Sequence, residues 1–164
     1  MEELQIRPAV KADRADLRRG LIELQNYECR LHDTRLPAGE IADPYLDWML
    51  EQIRTKEGIC LIAEVDGGFV GYVSAWVESD DNLAETTESK RYGYISDICV
   101  LDAWRGRRIA AQLLLQAERH LGGAGVTRLR ISALAVNESA LSAYRGYGFE
   151  PYEVTLEKRL RVDP

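Results

Sequence analysis

Residues 92–116 read YGYISDICVLDAWRGRRIAAQLLLQ, a strand, a turn and a helix in succession. Tyr94, Ile95, Ile98, Cys99 and Val100 form the apolar strand, and Leu113, Leu114, Ala117 and Leu121 recur at helical spacing after the turn. A strand that turns directly into a helix leaves successive N–H groups of the helix start without partners, with the positive end of the helix dipole behind them. Such a turn is an anion cradle for a phosphate or pyrophosphate. Gly106 lets the backbone bend and a ligand approach, while Arg105, Arg107 and Arg108 add forked cationic donors. Ile109 and Ala110 carry the chain into the helix.

The turn is neither of two familiar phosphate loops. It lacks the Lys-Ser/Thr pair of the mononucleotide loop, and it has one glycine where the dinucleotide fingerprint needs three. Arg105 to Ala110 resembles motif A of the GNAT acyltransferase superfamily, Gln/Arg-x-x-Gly-x-Gly/Ala, with Arg108 at the usual glycine. Taken alone, this turn has a second reading, a solvated basic helix start. Downstream, Asn137, Ala140, Tyr144, Gly148 and Phe149 match motif B of the same superfamily, Asn-x-x-Ala-x-x-x-Tyr-x-x-x-Gly-Phe, at every marked position. Two motifs in the right order and spacing are far more specific than either one. Asn137 suits a helix N-cap, Ala140 and Tyr144 share a helix face, and Gly148 suits the C-cap.

The chain has 164 residues, 46% of them hydrophobic and 29% charged, which suits one soluble domain spanning residues 1–164. No apolar run approaches a membrane span, and the acidic start is unlike a signal peptide. The net charge of −6 argues against a general nucleic-acid binder and favours a cationic acceptor. Cys29, Cys60 and Cys99 are far apart, and the two histidines lack ligand spacing, so a cytoplasmic protein without disulfides or metal is expected.

Periodicity and breakers predict a strand over 4–7, helices over 12–32 and 44–54, a hairpin of strands over 58–65 and 69–77, and a polar loop over 78–91. Then follow strand 92–100, helix 105–121, strand 128–136, helix 139–147 and strand 153–160. This β-α-α-β-β-β-α-β-α-β order is that of the α/β GNAT fold, so the resemblance covers nearly the whole chain.

The resemblance implies acetyl-coenzyme A as co-substrate and direct acetyl transfer to a primary amine. It implies that the backbone of Ile98, Cys99 and Val100 binds the pantetheine arm. It places the pyrophosphate on the turn from Arg105 to Ala110, with Asn137, Ala140 and Tyr144 completing the cofactor site. Tyr144 matches the tyrosine that often protonates the leaving sulfur; its other role is packing. Ser96 stands where many relatives carry a basic glutamate. Asp97 beside it acts as base directly, acts through a water, or is structural; a further reading is water-relayed deprotonation with no dedicated base. Alternation along a strand lets only one of the pair face the acceptor.

The run Glu23 to Glu28 resembles the first helix of polyamine acetyltransferases, which implies that Tyr27, Glu28 and Asp33 hold a cationic amine; the other reading is a solvated helix end, which suits Asp33 better. Trp76 is a further candidate for lining that pocket. Trp48 and Trp104 read as packing or surface aromatics, and the acids of residues 78–91 read as a solvated run. Three functions remain open: a small-amine N-acetyltransferase, a protein N-terminal or lysine acetyltransferase, and a non-catalytic acyl-coenzyme A sensor. The family's habit of pairing through C-terminal strands implies a possible homodimer.

Overall fold

A computed structural model describes residues 3–161. Five strands form one sheet in the order β1-β2-β3-β4-β5: β1 Leu4–Pro8, β2 Ile59–Val65, β3 Gly68–Ser79, β4 Arg91–Val100 and β5 Leu129–Ile131. The first four pair antiparallel, and β5 lies parallel to β4. The helices are α1 Arg14–Leu31, α2 Ala38–Thr55, α3 Ile109–Gly123 and α4 Glu138–Tyr147.

Alternation along β2 and β3 supplies an apolar residue to each face of the sheet, so both faces must be covered. On one face Leu113, Leu114, Ala117 and Leu121 of α3 pack on Val70, Val73, Ala75 and Ile95. On the other, Leu17 and Leu21 of α1 and Leu46 and Met49 of α2 pack on Ile62, Tyr72, Trp76 and Cys99. The second layer carries the buried aromatic residues Phe69, Tyr72 and Trp76.

Three expectations change. Helix α2 begins at Ala38, six residues before Pro44. Pro44 removes one N–H in the second turn, but Ala38 and Ala42 are buried against the core and hold the helix across it. The strand expected over 128–136 is only Leu129–Ile131, because the chain leaves β4 after Ile131 and a strand needs a partner. The strand expected over 153–160 is not formed: the tail is exposed, with Val154, Leu156 and Leu160 at 76–90%. Alternation in a sequence predicts two faces but not a partner edge.

Candidate active site

Beyond the Ile95–Ile131 pair, β4 and β5 separate, and the β5-facing edge of β4 from Ser96 to Val100 has no neighbouring strand among the described residues. A cleft of about 690 Å³ opens in the gap. Ile98, Cys99 and Val100 line one side, with Asn137, Ala140 and Tyr144 on the other and Arg105, Gly106, Arg108, Ile109 and Ala110 at one end. The structure thus brings together the two segments singled out in the sequence.

At the turn, Gly106 has φ +75° and Arg108 has φ +61°, both left-handed. Arg108 is the N-cap of α3, so the residue that replaces the motif's glycine adopts a glycine-like conformation. The first backbone bond of α3 runs from the Gln112 N–H to the Arg108 carbonyl (3.2 Å). The N–H groups of Arg108, Ile109, Ala110 and Ala111 have no partner among the described residues. A Cβ built on Gly106 would meet nothing within 4 Å.

The arginines divide their work. The Arg105 guanidinium is directed at the protein: its Nε donates to the Val100 carbonyl (3.1 Å), it pairs with Asp102 (3.1 Å) and it lies over the Tyr27 ring (5.4 Å). It braces the turn while lining one end of the cleft. Arg107 lies over the Trp104 ring at 4.5 Å and does not line the cleft. Arg108 lines the cleft and is exposed.

Helix α4 starts as expected, with the Asn137 side chain accepting from the Ala140 N–H (3.2 Å), and ends at Gly148 with φ +120°. Ala140 and Tyr144 therefore face the cleft one turn apart. Burial first, then the charges of Glu28 and Asp97, push the Tyr144 hydroxyl up to about 12, so it keeps its proton at neutral pH.

A second cavity of about 460 Å³ adjoins the first, and Leu24, Glu28, Ser132 and Ala133 border both. Tyr45, Trp48 and Tyr94 supply its aromatic wall, with Ser96 and Asp97 on the sheet side. At its rim the Arg35 Nε donates to the Glu28 carboxylate (3.1 Å).

Both Ser96 and Asp97 line this cavity, against the expectation that only one would. The cause is a β-bulge. Ser74 pairs with Asp97 and Ala75 with Ile95, so Ser96 is an extra residue on β4. The bulge resets alternation: Ile95 points into the α3 layer, while Asp97 and Cys99 point toward α1 and α2. Asp97 is buried, and burial pushes its carboxyl up to about 6, although hydrogen bonds from Tyr45, Ser74 and Ser96 pull the other way.

Other candidates sit elsewhere. Trp76 is 1% exposed, lines neither cavity, and donates its indole N–H to Glu78 (3.0 Å); it supports Trp48 and Tyr94 from behind. Tyr27 lines the larger cleft, not the second cavity. Asp33 is exposed and pairs with Arg159 of the tail. The acids of residues 78–91 line neither cavity: Glu78, near the end of β3, pairs with Lys56, and in the loop Glu85 accepts from Ser89 and Tyr152, and Glu88 accepts from Thr127. Sequence reasoning missed Tyr45, Ser74, Arg35 and Ser132. It also read Trp48 as packing or surface, and Trp48 lines the cavity. Tyr45 falls on the apolar stripe of a helix, where nothing local marks it. Only the register of β4 against β3 brings it to Asp97.

The model of the acetyltransferase (GNAT) family matches residues 23–149, which contain both motifs and both cavities' principal walls. The chain belongs to the GNAT family. It is an acetyl-coenzyme A-dependent acyltransferase. A protein of Archaeoglobus fulgidus named as an uncharacterized N-acetyltransferase is 33% identical over 114 residues, 70% of this chain and 71% of that protein. An aminoglycoside N(6′)-acetyltransferase type 1 of Stenotrophomonas maltophilia is 26% identical over 124 residues, 75% of this chain and 80% of that one. Among solved structures, the aminoglycoside N-acetyltransferase AAC(6′)-Iy in complex with CoA superposes with a TM-score of 0.77 at 20% identity, covering 99% of this chain and 97% of that one. That likeness speaks to the fold. The residues of this chain also fit coenzyme A on their own evidence: a run of unpartnered N–H groups, an open Gly106, and an unpaired strand edge all border one cleft.

Proposed function

We propose that this chain, acting through one domain, acetylates the primary amine of a small cationic acceptor by direct transfer in a ternary complex. The observation that carries this reading is the pair of adjoining cavities, one with an anion cradle and one walled by aromatics and closed by acids. Tyr45 and Trp48 have ring centroids 5.3 Å apart, and such rings beside Glu28 and Asp97 attract an ammonium group. The relative named as an aminoglycoside acetyltransferase supports testing amino sugars beside polyamines.

Acetyl-coenzyme A brings an activated thioester when bound. The chain supplies the rest. The backbone of Ile98, Cys99 and Val100 aligns the pantetheine arm, and the turn from Gly106 to Ala110 holds the pyrophosphate. Asp97 takes the proton of the amine, relayed by the Ser96 hydroxyl that donates to it (3.2 Å). Tyr144 gives its proton to the departing sulfur. Glu28, at the border of the two cavities, orients the amine. Trp76 acts only by supporting the aromatic wall.

The reading extends to assembly and place. The exposed tail carries Tyr152, Val154 and Leu156 on alternate positions without a backbone partner among the described residues, which supports a homodimer that pairs it. Three unpaired thiols suit a reducing cytoplasm.

The test is thiol release from acetyl-coenzyme A across polyamines, amino sugars, amino acids, and peptides with free N-termini or lysines. Turnover with the small cationic amines is expected. Turnover with peptides alone would replace this reading by protein acetylation. Binding of coenzyme A without turnover on any amine would favour a sensor.

A further inference from the structure

We propose that the hydroxyl of Tyr45 positions the Asp97 carboxylate as proton acceptor for the amine, so that helix α2 builds both the acceptor cavity's wall and the setting of its base. This rests on the reading that Asp97 takes that proton.

The geometry is closed on three sides. Tyr45 Oη lies 3.0 Å from each Asp97 carboxylate oxygen. Ser74 Oγ donates to Oδ2 at 3.1 Å, and Ser96 Oγ to the same oxygen at 3.2 Å. Ser74 and Ser96 belong to the sheet, and Tyr45 alone comes from a helix that faces the cavity. Ser96 Oγ is also 3.5 Å from Tyr45 Oη.

Among the described residues no cation is paired with the carboxylate. From α1 the group facing it is Glu28, which is acidic and already holds Arg35. From β2 comes the Cys60 thiol, from β3 the Tyr72 hydroxyl, and from β4 the Cys99 thiol and the Tyr94 hydroxyl. Each of these neighbours stays neutral, because burial raises every one. The negative charge of Asp97 therefore depends on hydroxyl donors, and Tyr45 is the one that meets both oxygens. Hydrogen bonding to the charged form is what keeps a buried carboxylate ionised near neutral pH.

The proton transfer balances. The ammonium of the acceptor passes a proton to Ser96 Oγ as Ser96 passes its own to Oδ2. The amine is left neutral with its lone pair free, and Asp97 is left as the neutral acid, which later returns the proton to water. Tyr45 keeps its proton throughout, since burial and the Asp97 charge raise it above its ordinary range.

The experiment compares wild type, Tyr45→Phe and Asp97→Asn, using the best amine from the panel and saturating acetyl-coenzyme A. Two readouts are taken against pH: kcat/KM, and the infrared carboxylic-acid band of Asp97 isolated by subtracting the Asp97→Asn spectrum. The wild-type band is expected to disappear with a midpoint of about 6. Losing a hydrogen bond to a charged group should move that midpoint up by about one to two pH units in Tyr45→Phe. Then kcat/KM at pH 7 should fall roughly two- to tenfold and recover by about pH 9, with coenzyme A affinity unchanged. An unmoved midpoint with an inactive Asp97→Asn overturns the proposal alone. Full activity of Asp97→Asn overturns the reading beneath it, and the proposal with it. If Tyr45→Phe does not fold, 3-fluorotyrosine at position 45, nearly the same size and a stronger donor, should move the midpoint down; no movement overturns the proposal.

Discussion

Replacing Asp97 with Asn should make the protein more stable above pH 6 and leave it little changed near pH 4. The carboxyl titrates at about 6 in the folded chain, against 3.8 for an ordinary aspartate. Between those values the folded state binds a proton that the unfolded state has released. Stability therefore falls as pH rises through this window, and the loss is complete above it. Keeping the buried group ionised costs about 3 kcal/mol relative to an exposed one, at 1.36 kcal/mol per pH unit. An asparagine carries no such cost, and its amide can still accept from Tyr45 while the serine hydroxyls reorient. The assay is urea unfolding of wild type and variant at intervals from pH 4 to pH 8. The quantity of interest is the difference between the two, in which every other titration cancels. That difference should grow by about 2–3 kcal/mol in favour of Asp97→Asn, with the change confined to the interval between about pH 4 and pH 6. A difference that stays flat would mean that Asp97 titrates normally, and the argument from burial would fail. A site residue that destabilises its own fold is what a base tuned toward neutrality requires.

Arg108→Gly should raise stability by about 1 kcal/mol, because a side chain at φ +61° is strained there; Tm by calorimetry checks it, and a fall would refute the strain. The same variant should weaken coenzyme A binding by less than about tenfold, since one exposed charge contributes little beside the backbone N–H groups. Tyr144→Phe should lower kcat roughly a hundredfold with coenzyme A affinity held; an unchanged kcat would leave Tyr144 a packing residue. Removing residues 150–164 should convert a dimer to a monomer in light scattering. A full-length chain that is monomeric at every concentration would refute tail pairing.

Much of this was legible in the sequence because it is local. The turn at Gly106, the Asn137 cap and the Gly148 stop are each written in consecutive residues, and backbone rules translate them directly. The layers follow from apolar spacing alone. What was not legible depends on pairing between distant segments. Tyr45 and Asp97 are 52 positions apart, and nothing near either one announces the other. The tail pattern was real as alternation and misleading as a strand, since alternation marks two faces and does not name an edge to pair with. Arg105 was legible as a residue of the turn, and it lines the cleft; that its fork also meets Tyr27, Asp102 and the Val100 carbonyl was not legible, because the Tyr27 contact is tertiary.

The bulge at Ser96 links the two cavities to one structural event. In an unbroken β4, Ile95, Asp97 and Cys99 would share a face, and Asp97 would enter the α3 layer among aliphatic side chains with no donor in reach. One extra residue turns the second half of the strand over. It puts Asp97 opposite Ser74 and under Tyr45, and it brings Ser96 out to the cavity. The same point is where β4 loses β5, which leaves the following edge free to meet an extended ligand. The base and the cofactor edge are thus set by one irregularity, in adjacent residues of one strand. Their spacing does not depend on loop conformation, which is the precision that direct transfer between two bound substrates demands.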